Sequence, residues 1–163
     1  MKNTLAIALG ITAFASASVS VKGAAQDAPP YGPQITLDAA RKVAAAAEAE
    51  ARKNNWRMAI AIVDNHGTLV YYQMLDDTQT GSANVAVEKA RTSAMFRRPS
   101  KAFEDNIAGG RNAILGLPGV TPVEGGVPII VGGKQIGAIG VSGASSAQDG
   151  IVAKAGVDAL GKP

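Results

Sequence analysis

The sequence predicts an α+β domain in which helices cover the faces of a central, mainly antiparallel sheet. Two pairs of short apolar segments, each joined by a turn signal, indicate β-hairpins. Longer segments with helical spacing precede, separate and follow these pairs. A doubly wound parallel sheet would instead need a helix after each strand. The length of 163 residues fits one such domain.

The first 25 residues are predicted to be a secretory signal peptide. Lys2 supplies a positive start, residues 5–14 form an apolar run of ten residues, and small residues follow up to Ala25. The run is too short to span a bilayer as a helix. Cleavage after Ala17 or after Ala25 fits this pattern. Because a signal peptide directs export, we expect a periplasmic or secreted protein.

The lead-in and the first half of the domain follow from local patterns. Residues 26–35 are rich in proline and glycine and predict an extended lead-in to a single domain at 36–163. Thr36 is a suitable N-cap for a long helix with a small-residue face, which allows close approach to a sheet. The helix is expected to end near Asn54. Strands at 57–64 and 69–75 then form the first hairpin.

The second half of the domain is predicted to contain three helices and the second hairpin. Ser100 is placed to cap a short helix, and Ser146 with Asp149 has the form of a capping box. Gly132-Gly133 is a tight-turn signal between two strands. The predicted elements are helices 82–96, 101–107 and 146 to about 160, and strands 127–131 and 135–142.

Composition excludes several classes of site. The chain has no cysteine, which excludes disulfides, thiolate zinc sites, iron–sulfur clusters and a cysteine nucleophile. A single histidine excludes a multi-histidine metal centre. The net charge of +3 falls to +1 when the predicted signal peptide is removed, since Lys2 and Lys22 are lost. Scattered basic residues and 4% aromatic residues argue against nucleic-acid binding.

Two sequence features are candidate anion-binding sites. Arg97 and Arg98 form a basic cluster at a predicted helix end, where they either oppose the helix dipole or recognise anionic groups. With Phe96 beside them, they can frame a planar, acidic ligand. Gly125 and Gly126 precede a strand, so they either present consecutive amide donors to a carboxylate or form a simple bend.

His66 and two tyrosines are candidate metal ligands. His66 lies in the predicted hairpin turn, where it is either exposed without a role or a ligand for a metal or haem iron. Tyr71 and Tyr72 are adjacent in a strand, so their rings point to opposite faces. One of them is expected in the core, and the other can line a pocket or bind ferric iron as a phenolate.

Lys89 is a candidate base on an otherwise small, apolar helix face. A partly buried lysine can act as a base or form an ion pair with a carboxylate. From the sequence, Asp64 and Asp76 are candidate partners. Both interpretations, a catalytic one and a structural one, remain open at this stage.

An ordered set of short motifs runs through nearly all of the predicted mature chain. The set is Val63-Asp64-x-x-Gly67-x-Leu69, Met74-Leu75-Asp76, Lys89-Ala90-Arg91-Thr92, Phe96-x-x-Pro99-Ser100, Gly125-Gly126-Val127-Pro128-Ile129 and the segment 136–143, followed by Gln148-Asp149. This ordered set resembles the GlcG/HbpS family, which also includes the C-terminal domain of PduO.

The resemblance implies a profilin-like α-β-α domain with a central antiparallel sheet. It also implies a homo-oligomer, either a dimer or a higher assembly such as an octamer. Secreted members resemble an extracytoplasmic haem-binding protein that is linked to haem sensing and to a membrane sensor kinase. Two positions depart from the family pattern, since Ser100 stands where threonine is common and His66 where a small residue is usual.

The leading hypothesis is a secreted protein that binds haem or a related tetrapyrrole for buffering, transport or sensing. The alternatives are an enzyme that acts on a small carboxylic acid, with Lys89 or Asp64 as base, and an oligomeric partner of a membrane sensor kinase. For the leading hypothesis, the expected ligand of iron is His66, and the residues expected around haem are Phe96, Arg97, Arg98, Ser100, Gly125 and Gly126.

Overall fold

A computed structural model describes residues 28–161, and the predicted signal peptide lies outside them. Its sheet has the strand order β2-β1-β4-β3, and every pair of neighbours is antiparallel. The strands are β1 (Ala59–Asp64), β2 (Leu69–Met74), β3 (Gly126–Val131) and β4 (Lys134–Ser142). The helices are α1 (Leu37–Lys53), α2 (Ser82–Phe96), α3 (Lys101–Ala108) and α4 (Ser146–Asp158), with a 3₁₀ turn at Asn112–Gly116. The predicted α+β class is therefore confirmed.

Helices cover both faces of the sheet because its strands carry apolar side chains on both faces. The side chains are large on one face and small on the other. Ile60, Ile62 and Ile139 point towards α1 and α4 and form the larger core cluster. Ala61 and Ala138 point the other way, towards a row of alanines on α2. Such small side chains bring α2 close to the sheet, which fixes the end of α2 beside the edge strand β3.

Glycine at position 140 is part of this close approach. A Cβ atom there would collide with the backbone carbonyl of Ala86 and approach Ala90 on α2. The residue lies in the middle of β4, where its partners are Ala61 on β1 and Gly126 on β3. Gly140 thus allows the backbone of α2 to pack directly on the sheet.

The helix caps show what local patterns can and cannot predict. The hydroxyl of Thr36 accepts a hydrogen bond from the amide of Ala39, as predicted. The capping box of α4 begins one residue earlier than predicted, since Ser145 and Gln148 form both of its hydrogen bonds. The prediction for Ser100 was wrong, because its side chain makes no capping bond to α3.

The lead-in runs parallel to the first residues of β4, beyond the point where β1 ends. The amide of Gln135 donates to the carbonyl of Pro30 at 2.9 Å, and the amide of Gly32 donates to the carbonyl of Gln135 at 2.7 Å. The amide of Ile35 donates to the carbonyl of Ile136. Within residues 28–161, no helix is long and apolar enough to cross a membrane.

Candidate functional site

Three neighbouring cavities lie where the end of α2 meets the edge strand β3. The first cavity, of about 270 Å³, is lined by Arg97, Arg98 and the side chains of Val127, Pro128 and Ile130, among others. The second cavity, of about 330 Å³, shares Pro99 and Val127 with the first. The third cavity, of about 170 Å³, shares Arg98 with the first and contains Phe96 and Phe103.

Arg97 ends α2 in the left-handed conformation, with φ 52° and ψ 40°. This conformation is unusual for a residue other than glycine, and it turns the chain sharply after Phe96. The guanidinium of Arg97 lies over the ring of Tyr31, 5.0 Å from its centroid. Its Nη1 donates to the carbonyl of Pro29 at 3.4 Å. Arg97 therefore connects the end of α2 to the lead-in.

Arg98 is exposed and faces both the first and the third cavity. Its guanidinium lies 5.6 Å from the centroid of the Phe103 ring, and its Nε donates to the carbonyl of Phe96 at 3.2 Å. Together with Arg97, it places two permanent positive charges beside the apolar side chains of β3. This combination suits a ligand that has an apolar body and an acidic group.

Phe96 does not share the first cavity with Arg97. Its ring packs edge-on against Phe103, with centroids 5.3 Å apart and planes at 74°. The structure therefore divides the predicted group of Phe96, Arg97 and Arg98 between two cavities that meet at Arg98.

Ser100 is fully buried, and its hydroxyl is engaged inside the protein. The hydroxyl donates to the carbonyl of Val123 at 2.6 Å and accepts from the amide of Gly126 at 2.9 Å. Neither the hydroxyl of Ser100 nor the amide of Gly126 is thus free for a ligand in this structure. The amide of Gly126 is therefore directed at Ser100, whereas an anion-binding nest needs this donor to face a ligand.

The two glycines are needed for close packing on α2. Gly125 has a φ of +128°, and a Cβ there would lie 2.6 Å from the carbonyl of Val141 and 2.9 Å from Nζ of Lys89. A Cβ on Gly126 would collide with the carbonyl of Lys89. Both glycines also line the second cavity. Because they have no side chains, only their backbone separates this part of the cavity from Lys89.

Lys89 and Asp149 form a buried ion pair behind Gly125 and Gly126. The Nζ to Oδ2 distance is 2.7 Å, and the side chains are 1% and 3% exposed. Nζ also donates to the carbonyl of Val141, while Oδ1 accepts from the amide of Ala144. Burial raises the pKa of the Asp149 carboxyl, against the opposing effect of the Lys89 ammonium. The predicted partners, Asp64 and Asp76, were wrong.

Asp64, the other candidate base, shapes the first hairpin turn. Its carboxylate accepts hydrogen bonds from the amides of His66 at 2.8 Å and Thr68 at 2.9 Å. Together with the engagement of Lys89, this leaves both candidate bases in structural contacts. The enzyme hypothesis consequently receives no support from the arrangement of these two side chains.

His66 is exposed on the same turn and lines none of the three cavities. The turn is attached to α2 by Arg91, whose Nε donates to the carbonyl of Gly67 at 3.1 Å. In the described part of the chain, no group of three histidine or acidic side chains is arranged to hold a metal ion. The structure therefore does not bring His66 together with Arg97 and Arg98 in one cavity.

Local sequence patterns did not predict that the lead-in lines the first cavity. Ala28 and Pro29 line the first cavity, and the hydroxyl of Tyr31 donates to the carbonyl of Met95 at 3.1 Å. Proline and glycine around Tyr31 predict only an extended segment. An aromatic residue within such a segment was the one local signal for its attachment to α2.

The fold and these cavities define a small α-β-α domain that offers a cationic and apolar edge to a ligand. A family model described as "Haem degrading protein HbpS-like" matches residues 35–158. The chain belongs to this HbpS-like family. The protein GlcG of Escherichia coli K12 is 45% identical over 108 residues, which cover 66% of this chain and 81% of GlcG.

Solved structures share this fold. A crystal structure of HbpS has a TM-score of 0.74 and 30% identity, and the match covers 80% of this chain and 93% of HbpS. A haem complex of PduOC has a TM-score of 0.71 at 24% identity, and the match covers 78% of this chain and 96% of PduOC. The family model and the match to GlcG confirm the resemblance to the GlcG/HbpS family.

Proposed function

We propose that this protein binds haem or a related tetrapyrrole outside the cytoplasm and serves to buffer, transport or report it. The observation that carries this proposal is the first cavity, where Arg97 and Arg98 stand beside the apolar side chains of Val127, Pro128 and Ile130. The family description, which names haem, supports the same ligand class.

The chemistry of the first cavity fits this ligand. Haem has a flat apolar macrocycle and two propionates, so it needs an apolar wall with cations at one end. Guanidinium groups bind carboxylates with two parallel hydrogen bonds, and the β3 side chains supply the wall. The volume of the first cavity, about 270 Å³, lies slightly below the range of about 300 to 1,000 Å³ that is usual for ligand pockets. The second cavity adjoins it at Pro99 and Val127 and extends the surface that a ligand can cover.

The protein's own residues would hold and orient the ligand. Arg97 and Arg98 would bind the propionates, and Val127, Pro128 and Ile130 would exclude water from one face of the macrocycle. When bound, haem supplies iron-centred ligand binding and redox chemistry. The role of His66 as an iron ligand stays a prediction, which His66→Ala tests through the position of the Soret band.

Hemin titration followed in the Soret band tests the proposal. Wild-type protein is expected to give a saturable shift, and Arg97→Ala/Arg98→Ala is expected to raise the Kd about 10- to 100-fold, because two charge-assisted contacts are lost. Arg41→Ala is the matched control, since Arg41 is exposed on α1 and lines none of the three cavities. A saturable shift with the same Kd in the double variant would exclude the first cavity as the site.

We also propose a homo-oligomer, either a dimer or a higher assembly such as an octamer, that meets a membrane sensor. Exposed apolar side chains near the end of α2 support an assembly surface, namely Met95, Leu115 and Leu117. Light scattering of the purified protein measures the assembly. Recovery of the membrane sensor together with this protein from membranes, with and without hemin, tests whether the two proteins bind each other.

A further inference from the structure

The lead-in closes one side of the first cavity. Ala28 and Pro29 line the cavity, and the residues that follow them turn away along β4. We define residues 28–31 as the strap. The strap touches Arg97, one of the two cations that the proposed ligand needs, so its position and the access of a ligand are connected.

Within the described residues, the strap lies at the surface, whereas the chain that follows it is anchored in the core by Ile35. Gly32 and Ile35 donate backbone hydrogen bonds to β4, and Ile35 is buried in the larger core cluster. Pro29 and Pro30 have no amide hydrogen to donate. Upstream of Tyr31, the described contacts of the strap include that of Arg97 with Pro29 and one bond that the carbonyl of Pro30 accepts from Gln135.

Tyr31 connects the strap to the end of α2. Its hydroxyl donates to the carbonyl of Met95 at 3.1 Å and lies 3.3 Å from the carbonyl of Ala94. Its ring supports the guanidinium of Arg97 at 5.0 Å, although the residue is 47% exposed. An exposed cation–π contact and two carbonyl contacts are weak enough to be replaced by a ligand.

The strap and a carboxylate compete for the guanidinium of Arg97 when the carboxylate binds on the edge that carries Nη1. In this structure, Nη1 of Arg97 is directed at Pro29, and one face of the guanidinium is covered by Tyr31. A bidentate grip on a carboxylate uses two N–H groups on one edge of the fork. A grip on the edge formed by Nη1 and Nη2 would compete with Pro29 for Nη1, whereas a grip through Nε and Nη2 would leave that contact in place.

The point where the strap joins the rest of the chain contains two buried amide oxygens without a partner in the described structure. Nδ2 of Asn65 donates to the carbonyl of Gly32, and Nε2 of Gln135 donates to the carbonyl of Ala94, but Oδ1 of Asn65 and Oε1 of Gln135 accept nothing. Unsatisfied buried acceptors cost free energy. Because these two acceptors destabilise the closed position of the strap, they lower the free energy needed to move the strap to an open position.

We propose that the strap is an autoinhibitory contact, which an acidic ligand displaces when it takes the guanidinium of Arg97. This inference rests on the proposed function and adds its regulation. Closed, the strap shields the first cavity and engages Arg97 in the absence of ligand. Open, it frees Nη1 of Arg97 and one side of the cavity.

Tyr31→Ala tests the proposal, because it removes both the ring under Arg97 and the hydroxyl contacts. Hemin is expected to bind this variant about three- to tenfold more tightly, with a faster association rate. Tyr31→Phe retains the ring, so its Kd for hemin is expected to lie between that of Tyr31→Ala and that of the wild type. Tyr72→Ala is the matched control, since Tyr72 is a similarly exposed tyrosine on β2.

Two further measurements separate this proposal from the proposed function. In an Arg97→Ala background, Tyr31→Ala is expected to bring no gain in affinity. In the wild type, hemin is expected to increase exchange of the amide of Gln135, which donates to Pro30 of the strap. If the wild type binds hemin saturably but Tyr31→Ala binds it equally or more weakly, the strap proposal is wrong and haem binding stands. If the wild type shows no saturable binding, the proposed function itself fails.

Discussion

Replacement of Lys89 by methionine is expected to lower the free energy of unfolding by about 3 to 5 kcal/mol. Methionine preserves most of the length of the side chain but removes the charge, so Asp149 remains buried without its cation. A loss of about 3 to 5 kcal/mol is typical when one partner of a fully buried ion pair is removed. Here both side chains are at most 3% exposed, and Nζ lies 2.7 Å from Oδ2. The carboxylate keeps backbone hydrogen bonds from Ala144 and Gly143 but no cation. For a domain of this size, we expect the melting temperature to fall by roughly 10 to 20 °C.

The loss is expected to depend on pH, with a sign that follows from the pKa of Asp149. Burial already raises this pKa in the wild type, and removal of Lys89 takes away the main opposing effect. A carboxyl whose folded pKa exceeds its unfolded pKa binds protons more readily in the folded state. Protonation therefore relieves the buried charge, and the deficit of Lys89→Met shrinks as the pH falls through the folded pKa of Asp149.

Urea unfolding, followed by far-ultraviolet circular dichroism at about pH 8 and about pH 5, measures both effects. Lys154→Met is the matched control, because Lys154 forms an exposed pair with Asp158 and should change the stability by less than about 1 kcal/mol. The double variant Lys89→Met/Asp149→Leu should recover much of the loss. A loss below about 1 kcal/mol for Lys89→Met, or a loss that does not shrink at low pH, would refute this reasoning.

Two other variants test the loop that supports the second cavity. Gly126→Ala should destabilise the protein by more than about 2 kcal/mol in urea unfolding, because its Cβ would collide with the carbonyl of Lys89; a neutral effect would show that the loop is free to move. Ser100→Ala should cost about 1 to 3 kcal/mol, because the carbonyl of Val123 and the amide of Gly126 both lose a buried partner. If Ser100→Ala instead moves the Soret band of bound hemin without changing the stability, the hydroxyl faces iron and the structural role is wrong.

The elements of the fold were predictable because they depend on neighbours in the sequence. Apolar alternation and the Gly132-Gly133 turn place β3 and β4 within one residue of their observed starts. Caps were less predictable, since the choice between Ser145 and Ser146 depends on which way Asp149 points. Asp149 points inward to Lys89, and this contact spans 60 residues of sequence. No local pattern distinguishes it from a contact with Asp64 or Asp76.

The site was predictable only in part. Arg97 and Arg98 do line one cavity, but Phe96 lines a neighbouring cavity that meets the first at Arg98. Ser100 appeared to be a free hydroxyl because its buried partner, the carbonyl of Val123, is brought to it by tertiary folding. Tyr31 was missed for the same reason, since its contacts with α2 lie more than 60 residues away.

The absorption spectrum of the protein purified from haem-replete cells tests the central claim most directly. We predict a Soret band in the wild-type protein that Arg97→Ala/Arg98→Ala largely loses at equal protein concentration, while Arg41→Ala retains it. Absence of the band from the wild type, together with no saturable uptake of added hemin, would contradict haem binding. A band of equal strength in the double variant would place haem elsewhere on the molecule.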